Sequence, residues 1–153
     1  RTGRGSGPGE GLEFMPYSGV PDLATAWRVV RDAGRDNGAL LVDVWHRARA
    51  GTVPADLDGL PPERIVSVQL CDVVRTPMDP QRTESLGHRL PPGHGYGDAV
   101  GMVRALAAHG VAPRVVTVEV ISDALVARGV DVAARVSADA ARDVLRRAAL
   151  DTG

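Results

Sequence analysis

Lysine is missing from this chain, and all 18 basic residues are arginine. That excludes Schiff-base chemistry and lysine general bases. Cysteine is reduced to Cys71. No internal disulfide can form, and a reducing, cytoplasmic setting is expected. No apolar run reaches the ~18–20 residues that span a bilayer, and no secretory leader is visible. A basic excess is also absent: 18 basic residues face 19 acidic ones, for a net charge of −1. Nucleic acid and anionic membrane are therefore not expected partners. At 153 residues, with 44% hydrophobic and 24% charged content, the length and composition are those of one globular domain with a core of its own.

What the chain does have is four short apolar runs: Gly11–Pro16, Ala39–Val44, Ile65–Cys71 and Val115–Ile121. Each carries one polar residue, respectively Glu13, Asp43, Gln69 and Glu119. A charge inside or at the end of a strand is costly unless it is paired, protonated or bound to a cation. Three acids and an amide repeated this way form a set of hard oxygen ligands suited to a divalent metal.

Around these runs, the Gly-rich stretch Arg1–Glu10 reads as a flexible lead-in to a domain spanning residues 11–153. Pro21 and Asp22 open a helix expected to run to about Ala33, with Leu23, Ala26, Trp27 and Val30 on its apolar face. A polar stretch follows the third run from Asp72 to Gly97. A helix is expected over Asp98–Ala108, stopped at Gly110, and an amphipathic helix over Ser137–Leu150, burying Ala140, Val144 and Leu145. The runs start roughly 28, 26 and 50 residues apart, which suits strand–helix units with one long insertion. Their Val/Leu/Ile content is that of parallel strands covered on both faces. A dinucleotide-binding sheet would place a Gly-rich turn after its first strand, but Phe14-Met15-Pro16-Tyr17 stands there. Polar residues at the carboxyl ends of all four strands point instead to a barrel.

Taken together, LEFMP (Leu12–Pro16), LVDVWH (Leu41–His46), VQLCD (Val68–Asp72), HRLPPGHG (His88–Gly95) and VEVIS (Val118–Ser122) resemble the C-terminal half of the xylose isomerase-like TIM barrels, the sugar phosphate isomerase/epimerase group. The resemblance implies an α/β fold: four parallel strands with helices, half of a (β/α)8 barrel. It implies metal ligands at Glu13, Asp43, Gln69 and Glu119, with Glu13 and Glu119 also taking and returning the proton. His46, from the family's Asp-x-x-His pattern, and Arg89, before the Pro-Gly-x-Gly loop, are implied as substrate-binding. In that loop His94 stands where such proteins commonly carry Glu. A (β/α)8 domain takes ~250 residues, so a truncated frame or fragment is expected, inactive alone and open to self-association along its free edges.

The chemistry implied is an isomerisation or epimerisation of a sugar or sugar phosphate by proton transfer through an enediolate. Mn²⁺ or Mg²⁺ suits the ligand set best, with Zn²⁺ or Co²⁺ as alternatives. Three rivals remain open: a dehydratase of the inosose or dehydroshikimate type, an abasic-site endonuclease, and a metal-binding fragment without activity. The endonuclease would need several metals and many histidines, against four histidines here. Taken singly, Asp43 also reads as a helix cap, Glu119 as an arginine's ion-pair partner, Asp72 as a loop cap, and Trp45 and Tyr17 as packing or pocket wall.

Overall fold

The computed structural model describes residues 10–150. The expected lead-in falls almost wholly outside the described residues, and Glu10 is already the first residue of a strand. Four strands, β1 (Glu10–Glu13), β2 (Gly38–Asp43), β3 (Ile65–Leu70) and β4 (Val115–Val118), lie in sequence order in one sheet. Every pair is parallel. Each link between them carries at least one helix, as a parallel crossover requires.

Helix α1 (Leu23–Ala33) starts where Asp22 Oδ1 accepts the Thr25 N–H at 2.7 Å, and it ends at Gly34 in the left-handed region. Its buried face is Leu23, Ala26 and Val30, with Trp27 half-buried against the same core. Helix α2 (Val44–Ala50) follows β2 without a linker. Helix α3 (Gln81–Gly87) lies inside the polar stretch after β3. Helix α4 (Ala99–Ala108) is capped by Asp98 and stopped by His109 and Gly110. Helix α5 (Asp123–Val126) and the long α6 (Val130–Leu150) complete the described chain.

Register decides what reaches the site. Asp43 pairs with Gln69, Leu41 with Glu13, and Gln69 with Thr117. Glu119 is two residues beyond Thr117, and its N–H extends the ladder to Leu70 O at 3.1 Å. Because strand side chains alternate with period two, Glu13, Asp43, Gln69 and Glu119 all stand on one face, at the carboxyl ends. An irregularity at Leu40/Leu41 makes this alignment possible by resetting β2 against β3.

The opposite face is the core side, where Leu40, Val42, Val66, Val68 and Leu70 are buried against the helices. Two expectations need correction. The edge strand β4 is covered on neither face. Val115, Val116 and Val118 of β4 are all exposed, at 50%, 42% and 39%. In α6 the buried residues are Ala140, Ala141, Val144 and Ala148, while Leu145 is 39% exposed. Leu145 lies one residue, about 100°, around the helix from Val144. Among the described residues no helix is long and apolar enough to cross a membrane.

Candidate metal centre

Asp43 ends β2 and opens α2. Its Oδ1 accepts the His46 N–H at 2.9 Å, so the residue is both a helix cap and a buried carboxylate at the strand end. The cap fixes Asp43 and places His46 one turn into α2, where the ring is 2% exposed. Its Nε2 is 3.5 Å from Glu13 Oε1. Glu13, Asp43 and His46 each offer a ligand atom, all within 4.8 Å of one another.

Gln69 and Glu119 join the same constellation. The Gln69 amide group lies 2.9 Å from Glu13 Oε1 and 3.3 Å from Glu119 Oε2. Two arrangements fit these distances. In one, the amide nitrogen donates to both carboxylates. Alternatively a cation sits among three oxygens spaced as neighbouring ligands of a small dication are, about 3 Å apart for metal–oxygen bonds of 2.0–2.1 Å.

Arg89 supplies the local positive charge. Its guanidinium is 2% exposed, and Nη1 donates to Asp43 Oδ2 at 3.0 Å and to Glu119 Oε2 at 2.9 Å. Nη2 lies 3.2 Å from His46 Nε2. Since arginine can only donate, His46 Nε2 accepts and the ring proton rests on Nδ1. That buried Nδ1 has no hydrogen-bond partner among the described residues. Ser85 holds the rest of the fork: Nε donates to its carbonyl at 2.9 Å and Nη2 to its hydroxyl at 3.0 Å. Tyr17 in turn donates to Ser85 Oγ at 3.1 Å.

The charges do not cancel. Three carboxylates share one guanidinium, two of them in contact with it, so the cluster carries −2 when all three are ionised and −1 when Glu13 holds a proton. The ionisation equilibria register that surplus. Burial, then the neighbouring Asp43 and Glu119 carboxylates, push Glu13 up to about 7 despite Arg89. Burial also raises Asp43, opposed by Arg89 and the His46 N–H. His46 is driven down to about 3 by burial and by Arg89, so its ring is neutral. Asp43 above all, with Cys71 and Glu119, outweighs the desolvation of Arg89 and keeps it charged. The Cys71 thiol, buried 3.6 Å from Asp43 Oδ2, is raised well above its ordinary range and is inert.

Glu13, Asp43, Gln69, Glu119, His46 and Arg89 are thus gathered in one place. Sequence patterning left Ser85 unnoticed, and with it Glu84, which binds Trp45 and Arg49. These partners lie 35 to 68 residues apart along the chain, beyond any local periodicity. Asp72 is a loop cap: its Oδ1 accepts from Val73 N at 2.9 Å and Gly97 N at 2.6 Å. His88 and His94 are exposed, and His109 caps α4 with Nε2 2.7 Å from Leu60 O.

Comparison with known proteins places this geometry. No curated protein matches the chain. Among solved structures it is similar to the IolI protein with a bound zinc atom, at 24% identity and TM-score 0.77, over 88% of this chain and 48% of that one. A xylose isomerase domain protein from Alicyclobacillus acidocaldarius subsp. acidocaldarius matches at 30% identity and TM-score 0.71, over 94% and 51%. An L-ribulose 3-epimerase shares the fold at 17% identity and TM-score 0.59, over 94% and 50%. The chain spans about half the length of each, so its four strands correspond to half of a barrel. The family model described as xylose isomerase-like TIM barrel matches residues 8–148. On that match, the chain belongs to the xylose isomerase-like TIM barrel family.

Proposed function

We propose that this chain carries the metal-binding half of a sugar or sugar-phosphate isomerase or epimerase. The observation that carries it is the convergence of Glu13, Asp43, Gln69 and Glu119 at one end of the sheet, with more carboxylates than the one guanidinium can neutralise. These four residues would hold one divalent cation, with His46 beside it. When bound, the cation supplies positive charge that polarises a sugar carbonyl and lowers the cost of removing a neighbouring proton. The donor set is almost all oxygen, which favours Mn²⁺ or Mg²⁺. The zinc of the IolI structure keeps Zn²⁺ as an alternative.

The protein groups divide the remaining work. Glu13 and Glu119 stand on the first and last strands of the four, so they approach a bound sugar from different sides, as removing and returning a proton through an enediolate requires. The neutral His46 ring and the charged Arg89 Nη1 orient hydroxyl or phosphate oxygens. The lone buried Cys71 thiol suits a cytoplasmic setting.

Calorimetric titration with Mn²⁺ tests the site. One site is expected, lost in Glu119→Gln; no heat of binding to the unaltered chain would end the metal reading. The reaction is tested by proton exchange from deuterated water into a ketose at the carbon beside its carbonyl, measured by NMR. A second reading, metal binding without turnover, is favoured by the exposure of β4 on both faces. It leaves one wall of any substrate pocket to a further segment or a second copy, and predicts binding without exchange.

A further inference from the structure

The Arg89 guanidinium stands where a cation would stand. Its Nη1 donates to Asp43 Oδ2 and Glu119 Oε2, and its Nη2 reaches His46 Nε2. Asp43 is fully buried and its Oδ1 already accepts the His46 N–H, so Oδ2, the oxygen that Arg89 holds, is one of only two the residue can offer. A dication on these atoms would face the guanidinium across a single carboxylate oxygen, where two like charges repel strongly because little water screens them. Only the Nη1 side of the fork meets the carboxylates. The Nε side is held separately by the Ser85 carbonyl, and Nη2 by the Ser85 hydroxyl.

We propose that Arg89 is a competitor for the divalent metal, occupying the same ligand atoms and yielding them when the metal loads. This rests on the metal-binding function proposed above. Arg89 then has two successive partners. Before loading it neutralises Asp43 and Glu119 and allows three carboxylates to stand together around the buried Asp43. After loading, the guanidinium swings away from the two carboxylates, keeping at most its Nε bond to the Ser85 carbonyl, and Nη1 is freed for the oxygens of an incoming sugar or phosphate. The order of binding follows: metal first, anionic or hydroxylated substrate second. Ser85 is a positioning residue in this scheme, and Arg89 sets the affinity of the centre.

Mn²⁺ titration of three proteins separates this from a simple bracing role. Arg89→Gln removes the competing charge and is expected to bind Mn²⁺ about tenfold more tightly than the unaltered chain, whereas Arg89→Lys, which keeps the charge, stays within about threefold of it. Weaker or unchanged binding in Arg89→Gln, with Mn²⁺ still bound by the unaltered chain, overturns the competition and leaves the metal site standing. No binding in any of the three overturns both. Because Arg89→Gln strips Asp43 of its counter-ion and risks misfolding, a second measurement uses the unaltered chain. Phenylglyoxal labelling with peptide mapping should show Arg89 modified several-fold faster with Mn²⁺ than with chelator. Equal or slower labelling sinks the proposal.

Discussion

Two buried arginine–carboxylate clusters sit side by side in this molecule, and they are built to opposite ends. Around Glu84 every demand is met. One carboxylate, fully buried, accepts from Arg49 Nη2 at 2.5 Å, Arg49 Nε at 3.0 Å, Trp45 Nε1 at 3.0 Å and Met78 N at 2.9 Å. Charges there are one to one. Around Arg89 two carboxylates meet one guanidinium with a third, Glu13, close by, and His46 Nδ1 has no hydrogen-bond partner among the described residues. Trp45 stands between the two, with Arg49 and Arg89 carbons 6.0 and 5.7 Å from its ring centre and the His46 ring edge-on at 5.1 Å. A cluster that satisfies itself holds the fold. One that keeps surplus negative charge in a sheltered place is prepared for a ligand.

The sharpest way to break this contrast is to remove the self-satisfied carboxylate. Glu84→Ala leaves Arg49 uncompensated and should cost about 3–5 kcal/mol. Thermal denaturation would show this as a fall in Tm of ~10 °C. Mn²⁺ affinity among the molecules still folded should change little. Asp43→Asn should do the reverse. Asparagine still caps α2, so Tm should shift by less than a third of the Glu84→Ala loss, while Mn²⁺ affinity drops at least ~100-fold by calorimetry. If both variants lose stability and metal together, the two clusters are one unit and the contrast fails.

A smaller effect distinguishes them by pH. Glu13 titrates at about 7 in the folded protein, above its ordinary 4.5. Between those values the folded chain binds more protons than the unfolded one, so this group's contribution to stability falls as pH rises from 4.5 to 7. In chelator-treated protein, Glu13→Gln should therefore gain a few °C over the unaltered chain at pH 8 and nothing at pH 4. A constant difference across that range would show that Glu13 carries no surplus charge. Smallest of all, Ser85→Ala removes the hydroxyl but spares the backbone carbonyl that holds Arg89 Nε. It should cost about 1 kcal/mol by denaturant titration.

Much of this was legible before any coordinates. The four apolar runs became the four strands, and period-two alternation, a local rule, set which face each polar residue takes. The register that aligns them across strands, with its shift at Leu40/Leu41, is not local and was not legible. Helix α2 escaped notice because it begins at Val44, inside a run that reads as strand. Helix α3 escaped because Pro80 precedes it without a side-chain cap and its residues are largely polar. The first two turns of α6, Val130–Val136, lack the apolar spacing that revealed Ser137 onwards. The candidate site was read by residue type and by resemblance. Ser85 holds Arg89 from four residues away, a local spacing that sequence patterning passed over, while His46, and Tyr17 acting through Ser85, reach it only by tertiary packing across dozens of residues.

Asp72 and Leu90 form an antiparallel rung, Asp72 N to Leu90 O at 2.8 Å and Leu90 N to Asp72 O at 2.9 Å. That rung ties the residue after Arg89 directly to the chain just past β3. The segment leaving Asp72 is fastened again at Val74 O and Met78 N, by Arg49 and Glu84, so between these points Arg75–Pro77 stands exposed, tied only where Arg75 Nη2 donates to the Tyr96 hydroxyl at 2.8 Å. The length of the long connection is thereby uncoupled from the position of the arginine at its far end. Residues can be added or exchanged at Arg75–Pro77 to reshape what the site meets at its mouth, while Arg89 stays within reach of the same two carboxylates.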